Sequence, residues 1–341
     1  MTWQIFSLAI SWCLVTAAGC SLGAGPSSQA GTSAQGTQPP PLAEIRFGIG
    51  SENYGWMPAL IARDKGFFER ENLRVEIINL RAEAMLPAIL AQEVHIVSHS
   101  PDPFIAAVHK GAPLVLIGSM FDTTPYDLVA QKDINQVSEL RGKRVGLLSP
   151  ATVGTILTRE MLRERYGLVA GTDFDVINTG SSTATVSQIE SGAIAAGIII
   201  PPTSYQLRDK GFKILTNTSG FMDVPVAALA TTTEYAANHR DVVVRFLKAW
   251  LASLEWIHSN REGVVQYSME KHKLSREHAL EAYDTYMKYS AWPRDGKIRR
   301  KGFEALMGLM VSLKAIDNVM PFERLVDPSY LDEAQRRMTE R

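Results

Sequence analysis

Pro58-Ala59-Leu60-Ile61-Ala62-Arg63-Asp64-Lys65-Gly66-Phe67-Phe68-Glu69, continuing into Leu73-Arg74-Val75-Glu76-Ile77, carries a helix, a stop and a strand in one stretch. Met57 to Lys65 has helical spacing. Gly66 stands where a helix end needs a left-handed residue, a conformation glycine adopts without steric cost. Val75 to Leu80 is a β-rich run of strand length. A helix that stops at a glycine and gives way to a strand is half of a β–α–β unit, and the flanking sequence supplies the rest.

Upstream, Ile45 to Gly50 reads as a strand. Downstream come a helix from Ala84 to Gln92, a short strand from Ile96 to Ser98, a helix from Phe104 to Lys110 that stops at Gly111, and a strand from Leu114 to Ser119. Strands alternating with helices predict a parallel sheet. A second series begins after Lys132. Its strands are Arg144–Leu148, Phe174–Asn178, Ala196–Ile200 and Phe212–Thr216. Its helices are Thr155–Tyr166, Val186–Ser191 and Tyr205–Lys210, the last capped at Gly211. Val224 to Thr231 reads as a strand leading out of this unit. From Asp241 onward the pattern is helical, with Val243, Phe246, Trp250, Leu254 and Ile257 on one face.

Two α/β units in tandem followed by helices predict two lobes with a cleft between them. Tyr126-Asp127-Leu128-Val129-Ala130 and Val224-Pro225-Val226-Ala227 are the candidate lobe crossings. A chain that crosses twice returns to its first lobe. Lobe one is therefore expected to comprise 44–128 and 228–341, with the C-terminal helices packed on it, and lobe two 129–227. In sheets of this kind the loops after the strand C-termini collect ligand contacts.

The opening stretch resembles the start of solute-binding proteins of ABC importers of the nitrate, sulfonate and taurine type, which share their fold with thiamine-pyrimidine-precursor binders. Two further stretches resemble the same family. They are Ile89-Leu90-Ala91-Gln92-Glu93-Val94-His95-Ile96 and Leu140-Arg141-Gly142-Lys143-Arg144-Val145-Gly146. Gln92 and His95 stand where Gly and Asp are commoner. The resemblance runs from about Ile45 to Lys248. It implies a two-lobed periplasmic-binding-protein fold of type II, a small solute held between the lobes, a permease and its ATPase subunit as partners, and a monomer.

If the family's site carries over, the ligand sits where the strand-end loops meet. The loop Ser51 to Trp56 offers Asn53, and Tyr54 and Trp56 as rings that wall in a solute. Arg81 follows the second strand, and its guanidinium suits a sulfonate or carboxylate. Ser98, His99 and Ser100 follow the third strand and supply hydrogen bonds. Asp102, ahead of Pro103, reads as a helix cap rather than a contact. In lobe two, Thr152, Gly154 and Thr155 lead from a strand into a helix, whose free N–H groups favour an anion. Ser181 opens a second set of hydroxyls, and Pro202 lies in a Pro-containing cleft loop, after a run with Ala195 where the family often has Asp.

The first charged side chain in the protein is Glu44. The sequence beyond it is long enough for one large or two medium domains. Lys and Arg total 35 against 36 Asp and Glu, and no basic run stands out, which argues against nucleic acid. Residues 21–43 are small and polar with no charge before Glu44, and read as a flexible tether. Ahead of them an uncharged apolar run ends at Ala17-Ala18-Gly19-Cys20, which resembles a bacterial lipoprotein signal spanning 1–20. It implies export, and a membrane anchor on lipidated Cys20. An ordinary cleaved signal and an uncleaved anchor are the alternatives. Cys13 lies within the removed segment, so no thiolate chemistry or Cys-based metal site is expected.

No H-E-x-x-H, G-x-S-x-G, Walker A or G-x-G-x-x-G pattern occurs. His272 and His278 have no matching ligand set. The expectation is a binder without catalytic residues, metal or cofactor. Its ligand is a small organic anion, or alternatively a neutral or aromatic solute such as a thiamine pyrimidine precursor. A sensing module feeding a membrane receptor is a third reading.

Overall fold

The computed structural model describes residues 40–123, 125–150 and 152–340. The signal segment, Cys20 and nearly all of the tether lie outside them. The carbonyls of Pro40 and Pro41 accept hydrogen bonds from Asn72 and Arg245, so folded contacts begin a few residues before Glu44.

The first half builds β1 (Ala43–Ile49), α1 (Met57–Asp64), α2 (Phe67–Arg70), β2 (Leu73–Asn79), α3 (Ala82–Leu90), β3 (Ile96–His99), α4 (Asp102–His109) and β4 (Leu114–Phe121). The next stretch builds β5 (Asp127–Ala130), β6 (Arg144–Leu147), α5 (Val153–Tyr166), β7 (Asp175–Asn178), α6 (Ser182–Glu190), β8 (Ala196–Ile199), α7 (Thr203–Asp209) and β9 (Lys213–Asn217). The chain then returns through β10 (Ala227–Thr232) into α8 (Thr233–Asn238), α9 (Arg240–Ser259), α10 (Arg261–His272), α11 (Arg276–Lys288), α12 (Arg300–Ser312) and α13 (Ser329–Thr339).

The strands form two five-stranded sheets, ordered β2-β1-β3-β10-β4 and β7-β6-β8-β5-β9. The two orders are one topology used twice, with β10 and β5 in the same place. Neither sheet is purely parallel, as the alternation had predicted. β10 runs antiparallel to β3 and β4, and β5 antiparallel to β8 and β9. The reason is the crossing. β1, β3 and β4 run towards the cleft, so a strand that arrives from the other lobe starts at the cleft and runs away. Residues 127–130, read from sequence as part of a crossing, are that strand in lobe two. The crossings themselves are the short links on either side of the cleft floor, and they are tied together: the Tyr126 N–H donates to Thr218 Oγ1 at 3.2 Å and the Thr218 N–H to the Tyr126 carbonyl at 3.0 Å.

The C-terminal helices pack on lobe one. α9 lies against α1, α2 and α13. Its predicted face, Val243, Phe246, Trp250, Leu254 and Ile257, is fully buried. Arg245 and Lys248 of the same helix reach the turn after α2: Arg245 donates to the Glu71 carbonyl at 2.8 Å, and Lys248 pairs with the Glu71 carboxylate at 2.7 Å. Val153, Leu157 and Tyr205 of lobe two join the apolar cluster of lobe one. No helix among the described residues is long and apolar enough to cross a membrane.

Candidate functional site

Six strand-end loops converge on a cleft of about 570 Å³. Lobe one contributes residues after β1, β2 and β3, and lobe two residues after β6, β7 and β8. Phe121, Tyr126, Val226 and Ala227, at the crossings, complete the lining. The volume falls in the range of sites for drug-sized organic molecules.

Of the residues expected from sequence, Asn53, Tyr54, Trp56, Arg81, His99, Ser100, Thr152 and Ser181 line this cleft. Ser98, Gly154, Thr155 and Pro202 do not. Ser98 is fully buried, its hydroxyl against the Met120 sulfur. Thr155 is buried one turn inside α5, where its hydroxyl accepts from Thr152 at 3.2 Å. Gly154 acts by being small: a Cβ there would lie 2.7 Å from the Tyr126 ring, so only glycine lets that ring lie against α5. Pro202 is buried, while Pro201 and Thr203 on either side of it reach the cleft.

The lining has an aromatic side and a hydroxyl side. Trp56 meets Phe121 edge-on at 6.0 Å between ring centroids. Tyr54 is buried against Tyr286 and Trp292, at 5.1 and 5.8 Å between ring centroids. These rings are fixed from behind by the C-terminal helices. Trp292 Nε1 donates to the Gly55 carbonyl at 3.1 Å, and the Tyr286 hydroxyl to the Pro201 carbonyl at 3.2 Å. Lobe two answers with Ser149, Thr152, Ser181, Ser182 and Thr183. Sequence reasoning missed Phe121 and Tyr126. Both sit at strand termini beside the first crossing, and an aromatic at such a point is the one signal that would have singled them out.

Two charged side chains line the cleft. Glu52 is taken up by Arg63, at 3.2 and 3.0 Å, and by Lys271 at 3.2 Å. The Arg63 hydrogen bond holds its carboxyl below the usual carboxylate range. Arg81 is exposed, and its side chain has no hydrogen bond or ion pair among the described residues. It is the residue before α3, whose start has no side-chain cap. The starts of α5 and α6 face the same space, and helix N-termini carry partial positive charge. Asn53 is committed locally: its side chain accepts from the Gly55 N–H and donates to Ser51.

The His99 ring is buried, and burial lowers its pKa below the ordinary value, so it is neutral. Nδ1 lies 3.3 Å from the Ser100 carbonyl, which only accepts, so Nδ1 carries the proton and Nε2 is an acceptor. The start of α5 is not open as expected from sequence. The Val153 N–H already donates to Ser100 Oγ at 3.2 Å, a bond from lobe two to lobe one. An anion would find its freest donors at Arg81, α3 and α6. No group of three or more His, Cys, Asp or Glu among the described residues is arranged to hold a metal ion.

The family model described as NMT1/THI5 like matches residues 53–263, more than half of the chain. A Haemophilus influenzae protein whose name assigns it to thiamine biosynthesis is 38% identical over 91 residues, which are 26% of this chain and 29% of that protein. A Bacillus subtilis protein named for binding aliphatic sulfonates is 27% identical over 224 residues, 63% of this chain and 65% of that one. Among solved structures, the alkanesulfonate-binding protein SsuA of Xanthomonas axonopodis pv. citri, bound to MOPS, superposes with a TM-score of 0.68. It is 15% identical, and the match covers 84% of this chain and 98% of that one. At that identity the likeness is one of fold.

Proposed function

The chain belongs to the NMT1/THI5-like family, and on that premise we propose that it is the solute-capturing subunit of an ABC importer. It is exported, anchored through lipidated Cys20, takes a small organic anion between its lobes and hands it unchanged to a membrane permease and its ATPase subunit. The lobes it closes with part at the links between β4 and β5 and between β9 and β10. The observation that carries the anion is the pairing of an unpartnered Arg81 with the starts of α3 and α6 around one cleft. The aromatic wall of Trp56, Phe121 and Tyr126 and the 570 Å³ volume support an organic body behind the charged end, rather than a bare inorganic oxyanion. Ligands of the relatives point the same way: one is named for aliphatic sulfonates, and the superposed SsuA holds the sulfonate MOPS.

A second reading keeps the fold and changes the ligand. The same aromatic wall, with the 38% match to a protein named for thiamine biosynthesis, favours a pyrimidine-like solute. Thermal shift against propanesulfonate, benzenesulfonate, taurine, nitrate and a hydroxymethylpyrimidine separates the two. A ligand at about 100 times its Kd adds about 2.7 kcal/mol to the folded state. A saturable shift with the sulfonates, and recovery of the solute unchanged by mass spectrometry, is expected. A shift with the pyrimidine alone would replace the anion reading, and no shift with any probe would refute capture of this class.

A further inference from the structure

Ser100 is a cleft residue of lobe one whose side chain bonds lobe two. Its hydroxyl accepts from the Val153 N–H, the first of α5, at 3.2 Å, and donates to Asp102 Oδ1. Asp102 is the first residue of α4 and is 3% exposed. Its other oxygen, Oδ2, is buried without a hydrogen-bond partner. Lobe two supplies part of that burial: Asp102, Pro103 and Ala106 of lobe one share a groove of about 380 Å³ with Pro150, Ile156 and Arg159 of lobe two. Parting the lobes breaks the Ser100–Val153 bond and returns the carboxyl to water.

A carboxylate closed into such a place, with one oxygen unpaired, is cheaper as the neutral acid. We propose that Asp102, acting through Ser100, is a proton-linked latch between the lobes, so that closure takes up a proton and solute capture tightens as the surroundings turn acid. Asp102 is a positioning residue here, since it does not line the cleft. The inference rests on the solute-capture reading for its consequence and on the two-lobe contact for its mechanism.

The surrounding groups fit. α5 presents Arg159 and Glu160 to the shared groove, Arg159 being exposed, while α12 presents Met310 and the turn after it Leu313 and Ala315. The Tyr126 phenol is neutral, its pKa pushed well up by burial and by Asp102 itself. His99 is turned to the Ser100 carbonyl and Phe104. The Ser100 hydroxyl and the start of α5 both favour the ionised carboxylate, yet burial outweighs them and raises its pKa to about 7. An open-state carboxyl titrates near 4. A value raised by closing means that the closed form holds the proton more tightly. The gain therefore grows as pH falls from about 7 and is lost as pH rises through it.

The test titrates propanesulfonate affinity of the whole protein from pH 8 to pH 5, with solute-free small-angle scattering alongside. Wild type should tighten by up to about tenfold per pH unit as the medium acidifies, and should become more compact without solute. Calorimetry in buffers of different ionisation enthalpy should count about one proton taken up near pH 5.5; a count of zero overturns the latch with no variant needed. Asp102→Asn should bind with wild type's acid-end affinity at every pH. Ser100→Ala, which cuts Asp102 off from α5, should weaken binding throughout. Parallel pH profiles for wild type and Asp102→Asn would assign the proton elsewhere, Asp127 included, and refute the proposal. If no solute binds but acid compaction occurs in wild type and not in Asp102→Asn, the latch stands and the solute-capture reading falls.

Discussion

Two residues carry the most at the scale of single side chains. Gln92 ends α3 with φ of 57°, in the left-handed region, and its counterpart in lobe two is Gly192 at 74°. A non-glycine residue there costs roughly 1–2 kcal/mol, while glycine's extra chain entropy costs roughly 0.5–1 kcal/mol. Gln92→Gly should therefore raise stability by a few tenths to about 1 kcal/mol in urea unfolding, since the Arg46 side chain bonds the backbone carbonyls of Gln92 and Glu93 and not the Gln92 side chain. A loss of stability would mean that the Gln92 side chain makes a contribution its exposed position does not suggest. Arg81 is the opposite case, a side chain with no structural partner. Arg81→Ala should leave the melting temperature of the solute-free protein within about 1 °C. It should weaken an organic sulfonate by roughly tenfold to a hundredfold, the worth of one charge-assisted contact of about 1.5–3 kcal/mol. Equal affinity in calorimetry would move the anion away from α3.

At the scale of elements, the position of α6 decides the lobe-two side of the cleft. β6 and β8 meet at the pair Gly146 and Gly197, and α6 and the chain around it press onto that bare patch of sheet. A Cβ on Gly197 would lie 2.5 Å from Thr185 Cγ2, and one on Gly146 would lie 2.5 Å from Ile194. Thr185 is fully buried and bonded to Thr179 and to the Ser181 carbonyl, so it has nowhere to retreat. Gly197→Ala should cost about 1–3 kcal/mol of stability as overpacking. It should also lower solute affinity, because lifting α6 carries Ser181 and Thr183 away from the cleft. Unchanged affinity in a folded Gly197→Ala protein would show that α6 does not touch the solute. A different pair of elements joins the lobes on the far side. α7 meets α11 through the bidentate Arg208–Glu281 pair at 2.7 and 2.8 Å, and through Tyr205 and Thr285 at 2.9 Å. The ion pair is half-exposed, so its net worth is small.

For the molecule as a whole, folding shuts several carboxyl groups away from water. Burial raises Asp102 and Asp127 to about 7 and Asp122 to about 6. Each binds its proton more tightly when folded, so stability grows as pH falls from about 7 towards the unfolded carboxyl range near 4. Glu52, Asp64 and Asp241 are shifted the other way, and their contribution is lost as pH falls below that range. Thermal unfolding should therefore peak near pH 5, and Asp127→Asn should flatten the fall between pH 6 and 8. A melting temperature that climbs steadily to pH 8 would show that these carboxyls are not shut away from water.

The alternation of strands and helices, the glycine stops, the two-unit organisation, the helical tail and most of the cleft loops are legible in the order of residues alone. These are local signals: hydrophobic period, chain-ending glycines and polar loop residues act within a few positions of one another. Eight of the twelve expected ligand residues line the cleft because strand-end loops in this architecture face it whatever their detailed conformation. The rest depends on contacts between distant parts of the chain. β5 reads as a linker in sequence because a strand of only four residues, Asp127 followed by three apolar ones, has no period of its own, and its pairing partners lie far away in the chain. Gly154 and Thr155 sit in an anion-like motif, yet they face inward, since a helix turns its side chains by its own geometry and the Tyr126 ring fills the space beside them. Asp102 looked like a helix cap, and its place between two lobes, beneath Ser100 and the first N–H of α5, exists only once residues 53 positions apart are brought together.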